Sequence, residues 1–273
     1  SWDSGYLEGS QKFVWLSILA IISSVSKLVF SILFVELGME SMVYGAMPIS
    51  LLISFLGSWL VARKISLSNK KKTPAKAKDD IKFSKKFFTT SILTKISSIS
   101  FLSLDIIFIK HFLTASEAGQ YAVLVLVGRI VYIAGGFFSQ LILPIISKER
   151  GQGLKKSISF PLILGSSLLS TIGAFLLVGP LGSFTVPLLF GDRANPILPY
   201  VTTFAFAMIL FSTAYTLINY HQARKEYEFS LIGVLTVFVQ LTVLSFLHAN
   251  IGQVVTGMLF TSIFFLIASL LMH

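Results

Sequence analysis

The chain has 273 residues, of which 54% are hydrophobic and 12% charged, with a mean hydropathy of +0.82. Soluble domains carry about 25% charged residues, so the composition argues against a cytosolic enzyme or a free nucleic-acid binder. The net charge of +10 belongs mainly to residues between apolar runs, and the absence of Cys removes disulfides, Cys-ligated zinc and thiol chemistry.

In chain order, the opening Ser1-Trp2-Asp3 holds neither a starting Met nor a signal peptide, so the chain reads as N-terminally truncated. A helix across about 30 Å of hydrocarbon needs about 20 residues. Apolar runs of that order occupy residues 13–35, 42–62, 87–112, 119–146, 157–179, 197–220, 228–248 and 252–271. Backbone polar groups find no water in lipid, so the runs are expected as helices. The fold class is therefore an all-α integral membrane protein with eight transmembrane helices. Residues 1–62 hold two spans, residues 63–86 form a basic linker, and residues 87–273 hold six spans. The linker carries ten Lys or Arg with Pro74, Asp79 and Asp80. It reads either as a segment lying on anionic headgroups or as a plain topological loop. A weak repeat aligns Glu36–Ala46 with His248–Met258, sharing Val43/Val255 and Gly45/Gly257.

Lys and Arg divide unequally between the two sets of loops. One set, with the start of the chain, holds 17 of them, from Lys12 to Lys225, and the alternate set holds Lys110 and Arg193. The positive-inside rule then predicts that both termini and the basic loops are cytoplasmic.

The remaining three cations, Lys27, Lys95 and Arg129, fall inside spans, as does Asp105. Each costs about 2.5–3.5 kcal/mol at a helix centre if it faces lipid, so each is expected to face a partner or a wet cavity. At 100° per residue, Ser91, Thr94, Lys95, Ser98 and Asp105 share an arc of about 100° on the third span. Ser17, Ser23, Ser24, Lys27 and Ser31 share about 120° on the first. Spans three and four form a hairpin read as turning over Thr114 to Gly119, centred near Glu117, with Asp105 twelve residues before that centre and Arg129 twelve after it. Equal distance from the turn predicts equal depth, so Asp105 and Arg129 are expected to pair. The pair reads either as a clamp between helices or as part of a cationic cavity in which Asp105 couples transport to an ion. Lys27, in the outer half of its span, is a further candidate neighbour of Asp105.

Other residues are read more simply. Trp15, Trp59 and Tyr200 are candidate interfacial anchors. Leu181–Asn195 is apolar but too short to span, and is expected along the outer interface. Asn219 and Gln240 suit hydrogen bonds between helices, and His221, beside Arg224 and Lys225, reads as a solvated helix end. The four histidines have no metal-ligand spacing, and no Walker A, HExxH or nucleophile-elbow motif occurs. Neither a metal site nor a catalytic residue is expected.

Several segments resemble those of the polysaccharide (O-antigen-type) repeat-unit flippases, in the multidrug/oligosaccharidyl-lipid/polysaccharide exporter superfamily. Tyr6-Leu7-Glu8-Gly9-Ser10-Gln11-Lys12-Phe13 looks like the family's LQGxQxF motif, with Glu8 where Gln is usual. Leu104-Asp105 through Leu113, followed by Glu117-Ala118-Gly119-Gln120-Tyr121, is similar to its LDxxxxxxxL…EAGxY helix-turn-helix, and the likeness continues through Arg129 to Leu143-Pro144. Pro187-Leu188-Leu189-Phe190-Gly191 looks like its xxLFG element.

The resemblance implies two six-helix bundles, of which this chain would hold the last two helices of the first and the complete second. It implies alternating-access flipping of an undecaprenyl-diphosphate-linked oligosaccharide across the bacterial cytoplasmic (inner) membrane for polysaccharide biosynthesis. No cofactor is implied beyond coupling to a Na+ or H+ gradient. The implied partners are the lipid-linked oligosaccharide, the bilayer, and the polysaccharide polymerase and chain-length machinery, with no nucleic acid. Charge and depth make Lys27, Lys95 and Arg129 the candidate substrate-binding residues, since a diphosphate is anionic. Two alternatives stay open: a cation-coupled multidrug exporter of the same superfamily, and a membrane glycan polymerase or ligase.

Overall fold

A computed structural model describes Gly5, Leu7 and residues 13–69, 85–153 and 157–273. Most of the Tyr6–Phe13 motif, linker residues 70–84, and Lys155 and Lys156 lie outside the described residues. The fold is all-α, with no strand among the described residues and eight helical segments long and apolar enough to cross a membrane. The chain divides into two compact units, residues 1–82 and 83–273, with the division inside the stretch read as a linker.

Unit 1 is a pair of helices, α1 (Phe13–Glu36) and α2 (Ala46–Asn69), joined through a 3-10 turn at Glu40–Gly45. Gly38 takes a left-handed φ of +68° just after α1, a conformation that costs a residue without Cβ nothing. The two helices meet where Leu19 packs over Gly57; a Cβ at Gly57 would lie 2.7 Å from the Leu19 side chain. Trp59 carries the Arg63 guanidinium 5.3 Å from its ring centre, a cation–π contact at the end of the apolar span that suits a bilayer interface.

Unit 2 holds α3 (Lys85–Phe112), α4 (Ala115–Ser139), α5 (Ile142–Gly151), α6 (Phe160–Val178), α7 (Gly182–Phe190), α8 (Leu198–Ala223), α9 (Phe229–Phe246) and α10 (Ile251–Met272). The central helix is α8, which packs against α4, α5, α6 and α10, while α3 lies mainly against α9. Lipid tails are as apolar as Leu, so helices in a bilayer associate through close packing and polar contacts rather than through hydrophobic burial. The α4–α6–α8 crossing has both. Gly135 admits the hydroxyls of Thr171 and Ser212, Ser167 donates to its carbonyl at 3.0 Å, and the hydroxyls of Ser139 and Thr216 meet at 2.5 Å.

The fourth run breaks near its end, where Pro144 reads as a break or turn: α4 and α5 part at Gln140–Leu141. Pro144 has no N–H to give the Gln140 carbonyl, so the ladder cannot continue through that point. The apolar loop 181–195 is instead helix α7, ended by Gly191 at a φ of +68° and followed by a 3-10 turn, Gly191–Ile197.

Candidate functional site

The third run folds as one long helix, α3, whose buried stripe is Thr90, Thr94, Ser97, Ser98, Phe101, Asp105 and Ile109. The spacing of three and four residues keeps them on one face. Most are polar, so the face α3 turns into unit 2 is the one that would be costly against lipid. Asp105 is 1% exposed.

Its partner is set by how the hairpin turns. Thr114 caps α4 in a capping box: its hydroxyl accepts from the Glu117 N–H at 3.3 Å, and the Glu117 carboxylate accepts from the Thr114 N–H at 3.0 Å. The cap pulls Ala115–Gly119 into the helix and leaves a turn of only Leu113 and Thr114. The hairpin is therefore centred at about residue 113 rather than 117, and the residue level with Asp105 is Tyr121. Tyr121, fully buried, donates its hydroxyl to Asp105 Oδ2 at 2.8 Å, and the Ile106 N–H donates to Oδ1 at 2.8 Å.

Arg129 lies two turns further along α4 than Tyr121. Its Nη2 reaches back to donate to the Leu102 carbonyl at 3.3 Å. The expected Asp105–Arg129 pairing is thus not a direct contact; the ion pairs among the described residues are those of Glu226 with His221 and Arg224. Asp105 and Arg129 nonetheless line one small void with Leu102, Val125, Phe204, Met208 and Met258, which leaves no room for a water molecule. The carboxyl group sits in a dry setting with two hydrogen-bond donors and a guanidinium in its neighbourhood. Such a group can take up or release a proton, or hold a small cation, if the helices part and admit water.

The other predicted site residues are placed elsewhere. Lys95 is on α3, ten residues before Asp105, which is about 15 Å along a helix; its side chain is on the exposed face. Lys27 is exposed on α1 in unit 1, beside the exposed Ser24 and the half-buried Ser23, Ser26 and Ser31. The hairpin thus unites Asp105 with Arg129 and Tyr121, while Lys95 stands apart from them on the same unit.

Two residues gain roles that the sequence reading did not assign. Tyr121 belongs to the site, and the Thr114-x-x-Glu117 capping signature locates it by moving the centre of the hairpin. His221 is not a solvated end but 5% exposed. Its Nδ1 meets the Glu226 carboxylate, its Nε2 lies 2.7 Å from His273 Nδ1, and its ring stacks on Phe229 at 3.5 Å. The cause is a tight turn after α8, in which Lys225 takes a left-handed φ of 65° and folds Glu226 back. Gln240 does join helices, donating from α9 to the Phe101 carbonyl at 2.9 Å and to Met258 Sδ at 3.2 Å.

Among the described residues no cluster of His, Asp and Glu has the arrangement of a metal site. No protein-family model, curated protein or solved structure matches the chain.

Proposed function

We propose that this chain works in a transporter of the polysaccharide repeat-unit flippase type. It carries an undecaprenyl-diphosphate-linked oligosaccharide from the inner to the outer leaflet of the bacterial cytoplasmic membrane, with both termini and the basic loops on the cytoplasmic side. The observation that carries the reading is that two ammonium groups, Lys27 in unit 1 and Lys95 in unit 2, each stand on the exposed face of a helix long enough to span a bilayer. Against acyl chains each would cost about 2.5–3.5 kcal/mol. Water beside each ammonium removes that cost, and a diphosphate or an acidic sugar is the complementary charge.

In this reading the exposed cations meet the anionic headgroup while the polyprenyl tail stays in lipid, and access alternates between the two leaflets. Asp105 couples the movement to a Na+ or H+ gradient, exchanging its ion when the packing around Tyr121 and Arg129 opens. No covalent chemistry is asked of the protein, and the polymerase and chain-length machinery receive the product on the outer side. An exporter of organic cations would present a reachable carboxylate, whereas Asp105 is buried; this favours the anionic substrate.

The test is the full-length protein in liposomes with a fluorescent undecaprenyl-diphosphate oligosaccharide, scored by leaflet accessibility. Lys95→Glu and Lys27→Glu are each expected to abolish flipping, and Asp105→Asn to remove its dependence on the ion gradient. Undiminished flipping by both charge-reversed variants would overturn the proposal.

A further inference from the structure

One to three turns before Asp105 on α3, a second void lies between α3, α8, α9 and α10. Its polar lining is Thr94, Ser97, Ser98, Tyr215 and Thr236, and the rings of Phe101, Phe211 and Phe265 line it as well. No charged side chain lines it, so its chemistry is that of hydroxyl groups and suits a neutral hydrogen-bonding ligand. Its volume is about 10 Å3, the lower limit for holding one water molecule.

One lining group lacks a partner. The Thr94 hydroxyl is buried and makes no hydrogen bond, although threonines in membrane helices commonly return theirs to the carbonyl four residues before, as Thr236 does to Ile232 at 2.8 Å. A buried hydroxyl beside a hydroxyl-lined space of one water's size is the signature of a hydration site, because a buried water takes two to four such partners. The void around Asp105 differs at each point: it has no room for water, and its lining is mostly apolar. Between the two stands the Phe101–Phe211 stack, with ring centres 4.0 Å apart and planes 7° from parallel.

We propose that the Thr94 void is a binding site for a single ordered water, bonded to the Thr94 hydroxyl and its neighbours, and that the Phe101–Phe211 stack holds it away from Asp105. Polar residues of α3 continue from it toward Ser91, whose hydroxyl accepts from Gln222 Nε2 at 2.5 Å. The water is thus the inner stop of a polar file. In the coupled cycle proposed above, and resting on that reading, it is the water nearest to Asp105 when the stack parts.

X-ray radiolytic footprinting of the protein in lipid nanodiscs tests the site without any substrate, because radicals formed from a bound water oxidise the side chains around it. Phe101, Phe211 and Phe265 are expected to be oxidised despite their burial, while Met208 and Met258, intrinsically more reactive but facing the dry void, stay protected. Thr94→Val, which keeps the shape and removes the hydroxyl, is expected to lower the aromatic labelling several-fold, and Thr94→Ser to restore it. Unlabelled aromatics in the wild type would overturn the site. So would labelling of Met208 and Met258 alongside the rings, which reports general opening, or a Thr94→Val variant that labels as the wild type does. A dry void leaves the flippase reading standing, and a failed flipping assay leaves the water standing.

Discussion

Helices α1 and α8 are of similar length, and α1 is the more apolar, yet they have opposite fates in their own units. Leu19 is the buried residue of α1, whereas α8 buries sixteen, from Val201 to Ala223. Hydrophobicity brings a helix into the bilayer but does not bury it in protein, since lipid and Leu are equivalent neighbours. Burial follows shape and polarity. In α8, Ala205, Ala207, Ser212, Ala214 and Thr216 let other backbones approach, and large rings such as Phe204 and Phe211 fill what remains. In α1, Ser17, Ser24 and Lys27 stay exposed, while Ser23, Ser26 and Ser31 are half-buried. A polar face that does not build its own unit is available for function.

Four measurements in detergent or nanodiscs bear on that contrast. The largest effect is expected at the helix crossing beside α8. A Cβ at Gly135 would lie 2.3 Å from Thr171 Oγ1 and 2.4 Å from Ser212 Oγ, so Gly135→Val should cost about 3 kcal/mol by overpacking. Leu33→Ala on α1 should leave the unfolding midpoint unchanged, and equal losses from the two would break the comparison. Next, Phe204→Ala should cost about 2 kcal/mol, below the soluble-protein range, because in lipid the cavity term remains while the transfer term falls away. Leu28→Ala on α1 should stay within about 0.5 kcal/mol, as exposed substitutions do.

Smaller again, Tyr121→Phe removes a donor from a buried carboxyl group and should cost about 1.5 kcal/mol, with Ser24→Ala on α1 as the silent counterpart. The smallest effect lies just past the end of α8. Burial pushes the Glu226 carboxyl up, but hydrogen bonds from His221 and Arg224 outweigh it and hold the group below its ordinary value of 4.5. Its stabilisation is complete above that value and is lost as the pH falls through the lower folded value. Wild type should therefore lose a little more thermal stability than Glu226→Gln on acidification below about pH 4.5, and identical acid profiles would remove this contribution.

The positions of the spans were legible because hydrocarbon thickness sets a run length that a sequence displays directly. The cost of charge in oil likewise made Asp105, Arg129, Lys27 and Lys95 visible as exceptions before any coordinates. What misled was distance counted along the chain. Centring the hairpin on Glu117 levelled Asp105 with Arg129, whereas the Thr114 cap shortens the turn and levels it with Tyr121. The signal was present as a Thr-x-x-Glu box and needed only to be read as the start of a helix. For His221 there was no comparable signal, since its burial depends on a left-handed Lys225 and on a His273 that is 52 residues distant.

Local pattern alone thus determined that the chain is helical, where its spans run, and which side chains are too polar for lipid. Each of those depends on one residue's transfer energy or one helix's length. Tertiary structure decided which polar faces are satisfied inside a unit and which stay open, that Asp105 takes a tyrosine rather than an arginine, and that one void has room for water while its neighbour does not. Those outcomes depend on cap geometry and on gaps of an ångström between packed helices, quantities that no single stretch of sequence contains.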